Sequence, residues 1–99
     1  MRIIAFTISV ALTCSATSLS AGVMKNACMK SDRNPSRATC QCIQQVADQR
    51  LTASDQKLAS KFFADPHMSQ EVRQSDNRAK EKFWLRYKAF GEVAGKQCG

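Results

Sequence analysis

Apolar residues fall in one uncharged run near the start of the chain, Ile3 to Leu12, and in helical spacing after it. Val23, Met24, Ala27 and Cys28 recur as i, i+1, i+4 and i+5, which predicts a short amphipathic helix. Residues 31–36, SDRNPS, read as a loop, with Asn34 held out of a helix by Pro35 and Ser36 a candidate cap. From Arg37 to Arg50 the apolar positions Ala38, Cys42, Ile43, Val46 and Ala47 share one side of a helix, with Cys40 at its edge. Thr52-x-x-Asp55 is a capping box with Asp in place of Glu, and it opens a helix whose Leu58, Ala59, Phe62 and Phe63 form one face. Asp65 ahead of Pro66 ends that helix and caps a further short one through His67, Met68 and Val72.

Ser75 or Asp76 is expected to cap the longest helix, in which Ala79, Phe83, Tyr87, Phe90 and Ala94 make a narrow stripe widened by Trp84. Gly95 is its expected terminator, leaving a short tail that ends in Cys98 and Gly99. No alternating run of β-branched residues suggests a strand. The expectation is an all-α fold, a bundle of about four short helices on one core. No repeat or Gly/Pro-rich linker divides it.

The opening run has the grammar of a secretory signal peptide: Arg2, an apolar stretch, then small and polar residues up to Gly22. A bilayer span needs about 20 apolar residues, twice what this run supplies. Small residues at minus three and minus one permit cleavage after Ser20 or after Gly22. We therefore divide the chain into a leader, residues 1–21, and a single small helical domain, residues 22–99. Lipidation at Cys14 is the lesser reading, because Ala11, Leu12 and Thr13 make a poor lipobox. No later run is long enough to span a membrane, so no carrier or channel can be built from the mature chain.

Loss of the leader removes Cys14 and leaves Cys28, Cys40, Cys42 and Cys98. An even number of cysteines in a small exported chain points to two disulfides. Two residues apart on a helix, Cys40 and Cys42 point about 160 degrees away from each other and suit different partners. Cys28 with Cys40 and Cys42 with Cys98 is the preferred map, on the reasoning that Cys42 lies nearer the centre of the inward stripe. The swap, Cys28 with Cys42 and Cys40 with Cys98, remains open. Loop entropy gives the short bridge about 3 kcal/mol and the long one about 4 kcal/mol. The other use of Cys40 and Cys42 is thiol redox chemistry or soft-metal handling, copper above all. Met24, Met29, His67 and Met68 would supply further ligands, but Met24 suits the core and His67 the solvent. We expect no metal and no cofactor.

Charge adds a candidate surface. The full chain carries 15 Lys and Arg against 8 Asp and Glu, a net +7, and without Arg2 the mature domain stands at +6. The densest stretch is Arg73 to Lys88, where Arg78, Lys82, Arg86 and Lys88 lie away from the Phe83 stripe with Leu85 among them. Such a face suits an anionic envelope component or an acidic protein. Nucleic acid is a poor partner for an exported chain, and the aromatics fit the core better than a stacking platform. With one His, no nucleophile elbow and no phosphate loop, no catalytic constellation can be assembled, so an enzyme is not expected.

The strings CQCIQQVADQRL, QKLASKFFADPHMSQEVRQSD and FWLRYKAFGEVAGKQC resemble a group of short exported alphaproteobacterial proteins, and the likeness spans most of the mature chain. Some of that group carry the label "arginine transporter". The resemblance implies an exported compartment and brings no functional residue with it. A carrier needs membrane spans, and a pocket for cationic arginine needs acidic groups that a +6 domain does not obviously gather.

Overall fold

A computed structural model describes residues 22–99 and Ala11, so the expected leader lies outside the described residues except at that position. Five α-helices and no strand make up the described residues: α1 Val23–Met29, α2 Arg37–Arg50, α3 Ala53–Ala64, α4 Pro66–Arg73 and α5 Arg78–Cys98. The all-α expectation holds, with five helices where about four were expected.

Local chemistry explains most of the boundaries. Gly22 enters α1 at φ 77, a left-handed conformation that glycine adopts without a Cβ penalty, and its carbonyl accepts from Asn26 N at 2.8 Å. Ser36 Oγ accepts from Thr39 N at 3.1 Å and caps α2. Thr52 Oγ1 accepts from Asp55 N at 3.1 Å and caps α3. Pro66 supplies the first residue of α4, but Asp65 makes no side-chain cap bond there. The cap of α5 is Asn77, not Ser75 or Asp76, with Asn77 Oδ1 accepting from Lys80 N at 3.2 Å. Ser75 instead orders the turn before it, accepting from Asn77 N at 3.1 Å.

Gly95 does not end α5, which continues to Cys98. Cys98 lies one turn beyond Ala94 and so extends the buried stripe to the sulfur that must reach α2. Two disulfides close the fold, Cys28 to Cys40 with Cα atoms 5.6 Å apart and Cys42 to Cys98 at 5.5 Å. The preferred map is found, although the reasoning behind it is not: Cys40 is fully buried and Cys42 half-buried. The inward side of α2 is rotated toward Cys40 because it runs through Gln44 to Ala47, and Gln44 is buried despite its amide.

Helix α1 lies across α2 and α3, α2 runs along α5, and α4 bridges α3 and α5. Met24, Val46, Ala47, Leu51, Ala59, Phe62, Val72, Phe83, Phe90 and Ala94 form one apolar core to which all five helices contribute. Ala38 and Ala79, expected on inward stripes, are exposed. Ala38 is two residues from the fully buried Cys40, on the opposite side of α2.

Tyr87 is the hub of the aromatic seam. Its ring centroid is 5.2 Å from Phe62 edge-on, 5.8 Å from Phe83 in a stack, 5.4 Å from Trp84 and 5.9 Å from Phe90.

Beside the apolar core lies a buried amide network. Gln44 Oε1 accepts from Lys25 N at 2.9 Å, while Gln44 Nε2 donates to Asp48 Oδ1 and to Gln56 Oε1, both at 2.8 Å. Gln56 Nε2 donates in turn to Asp48 Oδ1 at 3.1 Å. No buried side-chain polar atom among the described residues lacks a partner, so the network avoids the penalty of an unmet amide.

Candidate functional site

The outer face of α5 is the surface that charge singled out. Arg78, Lys82 and Leu85 recur at four and three residues and share that face, with Lys88 on its flank. All four are exposed, Leu85 at 67% of its surface. Glu81 and Glu92 interrupt the positive field on the same side.

Arg86 stands apart from that group. Its Nε donates to Asp55 Oδ2 at 2.7 Å and its Nη2 to Asp55 Oδ1 at 2.9 Å, a bidentate bridge from α5 to α3. The Asp55 side chain is only 7% exposed, and the hydrogen bonds from Arg86 hold its carboxyl below the usual aspartate value against the opposing effect of burial. The Arg86 charge and the Thr52 backbone and hydroxyl act in the same direction. Arg86 is therefore paired within the molecule, although its side chain remains 45% exposed, and among the described residues the unpaired part of the basic face is Arg78, Lys82, Leu85 and Lys88.

Asp55 could have been found in the sequence. It stands one turn before Ala59 and two turns before Phe62, on the inward side of α3. A carboxylate placed there must find a cation, and Arg86 is the one it finds.

His67 and Met68 are separated by the helix that carries them. His67 is exposed, its Nε2 3.6 Å from Glu71 Oε1, whereas Met68 turns in against the core. They do not converge as a ligand pair. Cys40 and Cys42 are each bonded to a different helix, so neither offers a thiolate in the oxidised molecule. Among the described residues, no three His, Cys, Asp or Glu side chains group closely enough to hold a metal ion.

A second feature had no forerunner in the sequence. The loop between α1 and α2 overhangs a cleft of about 460 Å³ that reaches Ile43 of α2, the α3–α4 junction and Tyr87 of α5. Phe62, Phe63, Ile43 and Tyr87 form its inner wall, and Asp32 and Arg33 stand at its exposed margin. Burial raises the Tyr87 pKa above its ordinary value of 10.0, so its phenol is neutral at physiological pH. The only hint in the chain was the run Ser31-Asp32-Arg33, which reads as solvent loop until the helices close behind it.

No family model matches the chain, and neither does any curated protein or solved structure.

Proposed function

We propose that this protein is a non-catalytic binding module of an oxidising, extracytoplasmic compartment, periplasmic or secreted behind a cleaved leader, that meets an anionic partner through the outer face of α5. The partner is an anionic envelope component or an acidic protein. The observation that carries this reading is Leu85, 67% exposed and flanked by Arg78, Lys82 and Lys88 on a helix whose opposite side is fully used by the core. An exposed apolar side chain between Lys82 and Lys88, with Glu81 a turn away, combines attraction to negative charge with a small hydrophobic contact. None of the three cations forms an ion pair among the described residues, whereas Arg86 does.

The disulfides support the compartment. Four cysteines in a domain this small are bonded in two pairs, as oxidising surroundings favour. No helix among the described residues is long and apolar enough to cross a membrane.

Cosedimentation with vesicles of anionic phospholipid, beside vesicles of phosphatidylcholine, tests the surface. Binding to the anionic vesicles alone, lost at high salt and lost in a Lys82→Glu, Leu85→Gln variant, is the expected result. No binding at low ionic strength would sink the lipid form of the proposal, and an acidic polypeptide is the next probe. Mass spectrometry of the exported protein with and without reductant addresses the competing thiol or metal-handling reading. Free Cys40 and Cys42 thiols or bound copper in native material would favour that alternative.

A further inference from the structure

The cleft under the α1–α2 loop is built differently from the basic face of α5, and its chemistry is specific enough to name a ligand class. Its inner wall is apolar, with Phe62 buried and Phe63, Ile43 and Tyr87 half-buried. A volume of about 460 Å³ lies within the ordinary range for small-molecule sites. The polar lining consists of the exposed Asp32 and Arg33, the half-buried Ser31 and Ser69, and the Tyr87 phenol. Ser31 Oγ donates to Cys28 O and Ser69 Oγ donates to Pro66 O, each at 2.7 Å. Both hydroxyl hydrogens are used within their own turns, so each oxygen turns only lone pairs toward a ligand.

Among the described residues Asp32 and Arg33 are the charged side chains that line the cleft, and they are consecutive in sequence and opposite in sign. Neither forms an ion pair among the described residues. An anion in the cleft would satisfy Arg33 but face Asp32, and a cation would satisfy Asp32 but face Arg33. A ligand carrying both charges close together leaves neither side chain opposed. The net positive charge of the domain does not decide between these cases, because its exposed charges are screened beyond about 8–10 Å while Asp32 and Arg33 act at contact distance.

The loop that carries the two charges is also set in advance. Cys28, which lines the cleft, is bonded to Cys40, so the disulfide closes the loop at its base. Asn34 holds φ 46, a left-handed conformation that Asn tolerates better than most residues, and Pro35 fixes the next φ. Little ordering is then required when a ligand arrives.

We propose that this cleft binds a small zwitterion with an apolar, aromatic body, its carboxylate on Arg33, its ammonium on Asp32 and the serine oxygens, and its ring against Phe62, Phe63 and Ile43. Three isosteric probes separate the charges: L-phenylalanine carries both, 2-phenylethylamine only the cation, and 3-phenylpropanoate only the anion. Titration of the natively processed, oxidised protein, followed by amide chemical shifts, is the measurement. Phenylalanine is expected to bind about tenfold more tightly than either singly charged probe. The shifts are expected at residues 31–35 and around Phe63 and Ser69, not at Arg78, Lys82 or Leu85. Arg33→Gln should bring phenylalanine down to the affinity of phenylethylamine, and Asp32→Asn should bring it down to that of phenylpropanoate. Both residues are exposed loop positions, and thermal melts will show whether the variants stay folded. Ser69→Trp, which fills the cleft, should abolish binding of all three. The proposal is overturned if phenylalanine produces no shifts at the cleft up to its solubility limit. It is equally overturned if a singly charged probe binds as tightly, or if neither charge variant alters the affinity of a folded protein.

Discussion

The two ends of this small core are held by different chemistry. Around α1 a disulfide and a chain of amides add to the burial of Met24: Cys28 to Cys40, and Gln44 between Lys25 N, Asp48 and Gln56. Along α3 and α5 the contacts are aromatic rings, with Phe62, Phe83 and Phe90 gathered on Tyr87, and the Arg86 to Asp55 bridge at the side. The difference follows from helix length. At 7 residues α1 is too short to persist alone and has little apolar face to bury, so a covalent tie and directed hydrogen bonds hold it. At 21 residues α5 presents a long apolar stripe, so burial along it adds to the Cys42 to Cys98 tie near its end. The anonymous loop between α1 and α2 gains its fixed shape from the first kind of chemistry, and the wall of its cleft comes from the second.

The sharpest way to break the contrast is at its aromatic side. Phe62→Ala removes a side chain 6% exposed that touches both Phe83 and Tyr87, and is expected to cost about 3–5 kcal/mol in denaturant unfolding. Its protection loss in hydrogen exchange should spread through α3, α4 and α5, because all three meet at that ring.

Replacing Cys28 and Cys40 together by Ala is expected to cost about 3 kcal/mol, and the loss should be local. Exchange should rise first in α1 and residues 30–36, with α5 still protected. Uniform loss across all five helices would show that the two ends are one cooperative unit.

Next in size is the bridge between α3 and α5. Asp55→Asn is expected to cost about 1–3 kcal/mol at neutral pH, since the bidentate ion pair is cut to one amide oxygen accepting from a guanidinium that keeps its charge. The folded state lowers the Asp55 pKa, so the stabilisation is present in full above its ordinary value of 3.8 and is lost as the pH falls below that through the folded-state value. The variant should therefore show a shallower fall in stability with acid than the parent, and equal slopes would count against the bridge.

The smallest effect is a gain. Gly95 lies in the α5 helix and a Cβ there would meet nothing within 4 Å, so Gly95→Ala should raise stability by roughly 0.5–1 kcal/mol. If the melting temperature falls instead, the last turn of α5 is held by something other than helix propensity and the Cys42 to Cys98 bridge.

Several parts of this molecule were legible residue by residue. The caps at Ser36 and Thr52 and the inward faces through Phe62 and Phe83 follow from local spacing, because capping hydroxyls and helical periodicity act within one or two turns. The cap of α5 was not legible. Ser75, Asp76 and Asn77 are all capable, and the choice fell to the residue whose backbone reached an extended φ of −70 and ψ of 124 in the turn after α4. Gln44 and Gln56 were passed over because polar residues on an inward face read as interruptions until their partners are known, and Asp55 was read only as part of a capping box although its carboxylate goes to Arg86. The basic face was legible as charge, but the pairing of Arg86 with Asp55 was not.

By itself the sequence determined that the chain is helical, where most of its helices start, that a solvated basic face runs along the longest one, and that four sulfurs would serve as two ties. Those properties depend on neighbours a few residues apart. Only the tertiary structure decided which sulfurs meet, that Cys40 rather than Cys42 is the buried one, that Arg86 crosses 31 residues of sequence to reach Asp55, and that Asp32 and Arg33 stand over an apolar cleft. Each of these joins groups that are far apart along the chain, and their meeting is fixed by how five helices share one small core.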